Sequence, residues 1–146
     1  FNYVFKNSSY FEKQEFGYLL EKTEKDFDSF VGKTFEEIAR EALNSLNKEK
    51  KLPAKFNKTG SWWNRTGEEI DLAMISDEEN AIMLAECKWD KNTDAEKILT
   101  ELQEKEKLVE HGKKRVYYAV IAREFKKRTD KALCLNLEEI NKILAD

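Results

Sequence analysis

Histidine and proline each occur once in the 146-residue chain, cysteine twice and glycine five times. Each scarcity excludes something. A lone His111, with Cys87 and Cys134 far apart, lacks the ligand number and spacing of a zinc site. Two cysteines in apolar stretches make no disulfide framework; they read as reduced, intracellular thiols. The chain holds no Gly-rich phosphate loop and no low-complexity linker. No apolar run approaches the roughly 20 residues of a membrane span, and no signal peptide opens the chain. A cytoplasmic location is the expectation. Bases do not exceed acids, 26 against 29, for a formal charge of −3. That argues against a dedicated basic coat for nucleic acid. It leaves open an enzyme whose carboxylates are offset locally by bound cations.

What is present suits one α/β domain. Apolar residues make up 40% of the chain and charged residues 38%, enough for both a core and a solvated surface. The chain opens on Phe1, as a piece of a longer protein would. Phe1 to Phe5 reads as the end of a preceding segment, and Asn7 to Ser9 as a turn or cap. Residues 11–27 read as a helix, so 1–28 forms a helical N-terminal segment ahead of a domain over 29–146. Val31, Phe35, Ile38, Ala39, Ala42, Leu43 and Leu46 recur at helical spacing. Thr34 to Glu37 fits a capping box for that second helix, and Pro53 breaks the chain beyond it.

A strand follows over residues 54–65, carrying Trp62 and Trp63. Next comes a hairpin from Gly67 to Trp89, its turn running from Ser76 to Asn80. The returning strand is apolar on both faces, as a central strand is. The spacing predicts a helix over 93–111 stopped by Gly112, then an apolar strand over 116–122. Lys126 to Arg128 reads as a basic turn or short helix. A short strand over 132–135 and a helix over 137–144 close the chain, the helix capped by a box between Asn136 and Glu139. A mixed sheet with helices on both faces fits this order.

Chemistry concentrates on the hairpin. Successive strand side chains alternate faces, so Glu86 and Lys88 share a face and Cys87 points away. Asp71 on the first strand and Glu86 on the second are expected to converge. Two carboxylates suit a hard divalent ion such as Mg²⁺ or Mn²⁺, which prefers oxygen ligands and keeps several waters. The Cys87 backbone carbonyl would be a third oxygen. Lys88 would orient a water or steady developing charge in phosphoryl transfer. Glu-X-Lys also occurs at Glu49 and Glu124, so the spacing alone equally fits a solvated strand end. Only the copy at Glu86 ends a doubly apolar strand preceded by an acid-bearing one. Trp62 and Trp63 point opposite ways; one is core and the other could stack on a base or pack. Lys55, Lys58, Arg65 and Lys91 are candidates for holding a phosphate backbone, or a solvated face. His111 reads as structural or solvated near a helix C-terminus.

These residues resemble the PD-(D/E)XK, restriction-endonuclease-like superfamily. Nearly the whole chain is similar to the C-terminal nuclease-like domain, of unknown function, of archaeal and bacterial P-loop ATPases. The likeness rests on Phe1 to Phe5 with Asn7, Val31 to Glu36, Trp62 and Trp63, Glu69 to Asp71, and Glu86 to Trp89. Ile70 stands where the superfamily name has proline. The resemblance implies a restriction-endonuclease-like mixed central sheet, and Asp71, Glu86 and Lys88 as catalytic residues. Glu36 would be the supporting acid of the first core helix; its residue-level alternative is a role in the first helical turn. It further implies divalent-metal-dependent hydrolysis of DNA, with DNA and an N-terminal ATPase domain of the same protein as partners. The alternative is a non-catalytic regulatory or DNA- or protein-binding module of that ATPase. A purely structural dimerisation domain is a third reading.

Overall fold

In the computed structural model, residues 16–145 are described, with side chains from 28 to 145. The expectations for Phe1 to Phe5, for Asn7 to Ser9 and for a helix start near residue 11 lie outside the described residues. The chain divides into two compact units, 1–34 and Phe35–Asp146. No helix among the described residues is long and apolar enough to cross a membrane.

Helix α1 spans Phe16–Lys48. Two helices were expected here, and one is found. The capping box at Thr34 does not form, because Thr34 lies inside the helix and its hydroxyl donates to the Phe30 carbonyl at 2.9 Å. A hydroxyl bonded one turn back leaves nothing to cap a new helix. From Phe35 onward the helix presents Phe35, Ala39, Ala42 and Leu43, all buried in the larger core cluster.

Strands β1 (Lys58–Trp63), β2 (Glu69–Ser76) and β3 (Ala81–Lys88) follow as an antiparallel meander. The β2–β3 turn ends on Asn80 with φ 52°, a left-handed position that asparagine tolerates better than most residues. Next come β4 (Thr93–Asp94) and helix α2 (Ala95–Glu106). The Asp94 side chain caps α2 by accepting from the Glu96 and Lys97 amides. The helix ends before the expected stop at Gly112, which has φ +62° in the following loop. Strand β5 (Arg115–Ala122) returns parallel to β3. Phe125–Lys127 forms a short strand, β6, parallel to β4, where a basic turn or helix was expected. Strand β7 (Leu133–Leu135) pairs parallel with β5.

The chain closes on α3 (Leu137–Ala145). The expected box forms there: Glu139 N–H donates to Asn136 Oδ1 at 2.9 Å, and Asn136 N–H to Glu139 Oε1 at 3.1 Å.

The main sheet has the order β1-β2-β3-β5-β7, mixed as expected. β3 lies at its centre, and Ala81 through Glu86 are buried. Met83 and Ala85 pack with the cluster that holds Phe35, Leu43 and Ile140. Ile82 and Leu84 pack on the other face with Leu102 of α2. That two-sided cover is why the strand reads as continuously apolar.

Candidate active site

The site begins with a miscount between strands. Gly60 pairs with Ala73 and Trp62 with Ile70, so two steps along β1 match three along β2. Asp71 and Leu72 therefore stand opposite Ser61 alone, as a β-bulge. The faces confirm it: Ala73 and Ile75 pack with the α2-side cluster, and so does Ile70, an odd number of residues away. Bulges re-aim side chains and interrupt pairing. The register of β2 against β3 runs only from Ser76 to Leu72, the latter opposite Ala85.

Beyond that point the Asp71 carboxylate takes over from the β2 backbone. Asp71 Oδ2 accepts the Cys87 amide N–H at 2.9 Å. In extended chain a residue's N–H and C=O leave by the same edge, so the Cys87 carbonyl also faces β2. Glu86, one residue earlier, is 4% exposed and within hydrogen-bonding reach of Asp71. The two acids singled out from the sequence are thus brought together.

The cation that meets them is Lys105, which sequence reasoning missed. Its ammonium lies 2.8 Å from Glu86 Oε1. Lys105 comes from the last turn of α2, one turn past buried Leu102. A signal was available: Ile98, Leu102 and Lys105 continue one helical stripe, so the lysine sits where the pattern calls for an apolar residue. Lys88 is half-buried at the end of β3, and its carbonyl accepts the Arg123 amide at 3.1 Å.

Burial, and after it the hydrogen bond and charge of Asp71, push the Glu86 carboxyl up to about 7. Lys105 opposes that rise. Burial would lower Lys105 itself, but its bond to Glu86 and the charges of Glu86, Asp71 and Glu68 outweigh it and raise the ammonium. The Cys87 thiol is raised by burial and then by the charges of Asp71, Glu36 and Glu86, with Arg40 opposing. It is no thiolate nucleophile. Glu36 therefore acts on the Cys87 thiol, which packs against the α1-side cluster, whereas Glu86 and Lys105 meet on the α2 side. Glu36 is exposed.

The four candidate phosphate-binding residues do not form one patch. All are exposed. Lys58 pairs with Asp77 at 2.9 Å, and the Lys55 amide donates to Glu79. Both thus sit by the β2–β3 turn, at the end of the hairpin away from the acids. Arg65, in the β1–β2 turn, and Lys91, just past β3, lie at the acid end. His111 places Nε2 3.8 Å from Glu106 Oε2, and its buried Nδ1 has no partner.

Comparison with known proteins adds a family. Residues 1–98 match DUF234, a family described as archaea bacterial proteins of unknown function. The chain belongs to DUF234. A relative, an uncharacterized protein of Methanocaldococcus jannaschii, is 38% identical over 144 residues. That match covers 97% of this chain and 32% of the relative, so the chain spans about a third of the relative's length. No solved structure matches this DUF234 chain.

Proposed function

We propose that this DUF234 chain is a divalent-metal-dependent, nuclease-type hydrolase of DNA phosphodiesters, of the restriction-endonuclease-like kind, acting as the C-terminal part of a larger ATPase. One observation carries the reading. A bulge aims Asp71 into the gap where β2 and β3 part, and holds its carboxylate against the buried Glu86 carboxyl.

The donor set fits Mg²⁺ or Mn²⁺. The Asp71 and Glu86 carboxyl groups bring hard oxygens together, and such ions need only one or two carboxylates plus waters. Asp71 and Glu86 would hold the ion with the Cys87 carbonyl. When bound it would neutralise phosphate charge and acidify a water. The chain's own residues do the rest. Asp71 is fixed by the Cys87 amide, so its second oxygen is presented in one orientation. Lys105 holds Glu86 from the α2 side and supplies a positive charge for the developing phosphorane oxygens. Lys88 follows on the strand as a second cation for the scissile phosphate. Glu36 adds negative potential from α1.

The reading is tested by Mn²⁺ calorimetry and by cleavage of single-stranded, double-stranded and branched DNA. Asp71→Ala and Glu86→Ala are each expected to abolish metal binding and to cut cleavage by about 100-fold or more. Cleavage and binding indifferent to both substitutions reject it.

A second reading has its own observation. Among the described residues no three His, Cys, Asp or Glu side chains stand together as a metal-holding group. That favours a non-catalytic DNA- or protein-binding module of the larger protein. Absence of Mn²⁺ binding, with and without DNA, selects it.

A further inference from the structure

Lys105 has more than one carboxylate within its neighbourhood. Exposed Glu68, Glu101 and Glu104 line the hollow beside it, yet its ammonium lies 2.8 Å from Glu86 Oε1. A lysine stem is long and flexible, so the choice depends on where the backbone of Lys105 stands. That place is the least secured on the helix. α2 ends at Glu106, and the last carbonyls of a helix have no intrahelical partner. Here the chain leaves through tighter bonds, from the Leu108 amide to the Lys105 carbonyl at 2.9 Å and from the Val109 amide to the Glu106 carbonyl at 3.0 Å. Such an end frays unless side chains hold it.

Glu106 holds it. An acid at a helix C-terminus faces the negative end of the helix dipole, so it is stable there only with partners. Glu106 has two. Tyr118 of β5 donates its hydroxyl to Glu106 Oε1. His111, in the following loop, places Nε2 3.8 Å from Glu106 Oε2. Burial, then the hydrogen bond and charge of Glu106, raise the Tyr118 phenol, with Gln103 opposing. The phenol therefore keeps its proton and remains a donor. Tyr118 is anchored in turn, because it packs against the Ile70, Leu84 and Leu102 cluster. The β3–β5 register sets Tyr118 beside Leu84 and Val120 beside Glu86. One strand pair thus carries both the anchor of the helix end and the acid that its lysine meets.

We propose that Glu106 is a positioning residue: clamped to β5 by Tyr118 and to the following loop by His111, it fixes the last turn of α2 and so directs Lys105 onto Glu86. Glu106 acts through Lys105, not on a substrate. The placement stands on geometry alone; its effect on rate rests on the hydrolytic reading above.

The test is nuclear magnetic resonance of the 146-residue chain, its lysines nitrogen-labelled, in EDTA. An ammonium held in a partly buried ion pair is protected from exchange, and Lys105→Met assigns its signal. Glu106→Ala and Tyr118→Phe should each lose that signal. Tyr118→Phe removes one oxygen and serves alone where Glu106→Ala does not fold; circular dichroism checks both. Asn136→Ala loosens the α3 cap instead and should leave the signal unchanged, which separates positioning from stability. A Lys105 signal that survives in either folded variant overturns the proposal. So does a signal also lost in Asn136→Ala, and so does a wild type without a protected Lys105 ammonium. In DNA cleavage, Tyr118→Phe should lower kcat by roughly 10- to 100-fold and leave KM unchanged. Signal loss in a chain that never cleaves DNA rejects the hydrolytic reading alone. Cleavage indifferent to Tyr118→Phe rejects the positioning alone.

Discussion

Lys105, in the last turn of α2, places its ammonium 2.8 Å from the Glu86 carboxylate oxygen, while Lys88, two residues from Glu86 on the same strand, sits at the strand's end. The Glu86 side chain is 6% exposed and that of Lys105 26%. A nearly buried carboxylate thus draws its countercharge from across the sheet–helix interface.

Lys105→Met should therefore destabilise the protein more than Lys88→Met. Removing one partner of a fully buried pair costs about 3–5 kcal/mol. With Lys105 a quarter exposed, about 2 kcal/mol is expected. Lys88→Met should cost under about 1 kcal/mol. Urea unfolding at pH 8 without divalent metal measures both; equal losses would remove Lys105 from its assigned place.

The same carboxyl sets a pH dependence. The folded-state Glu86 value of about 7 lies above its ordinary 4.5. Between those limits the folded state holds a proton that the unfolded state has released. The contribution is complete below pH 4.5 and is lost as pH rises through 7. Thermal unfolding in EDTA should show stability falling from pH 4.5 to 8 by an amount that Glu86→Gln abolishes. Mn²⁺ at pH 8 should restore it in the wild type. A flat wild-type profile contradicts the buried acid pair.

Trp62 and Trp63 should separate in a stability assay. Truncating a buried tryptophan costs about 3–5 kcal/mol; for partly buried Trp62→Ala about 2 kcal/mol is expected. Exposed Trp63→Ala should change stability by under about 0.5 kcal/mol. Denaturant midpoints decide, and a large loss at Trp63 would mean that it packs.

The last helix depends on its cap. Asn136→Ala removes the acceptor of the Glu139 amide and should cost about 1 kcal/mol. Glu139 has a second partner in Arg128, so Glu139→Gln tests the pair and the box together. Hydrogen exchange over residues 137–145 reads the effect; unchanged protection after Asn136→Ala would show that packing of Ile140 alone holds α3.

The hairpin was legible because its turn residues and its apolar runs agree, and the box at Asn136 because it is local. The bulge was not. It is a disagreement between the counts of β1 and β2 and exists only once they pair. Lys105 escaped because it lies 19 residues from Glu86, across the parallel crossover, although its place on the Ile98–Leu102 stripe marked it. The break expected near Thr34 came from a residue that caps helices well but also bonds backward inside them. The pairing of Phe125 with Thr93 leaves no periodic trace, because two-residue ladders are too short to have one.

The extra residue in β2 makes the site a matter of chain length as well as chemistry. Deleting a single residue at 71 would bring the two halves of the β1–β2 register into one frame. Ile70 would still meet Trp62, every strand would keep its partner, and the acid would be gone from the gap. A shortening of one residue would thus take the candidate site's acid pair apart and leave a smoother scaffold, without any of the substitutions that an inspection of Glu86 and its lysines would look for.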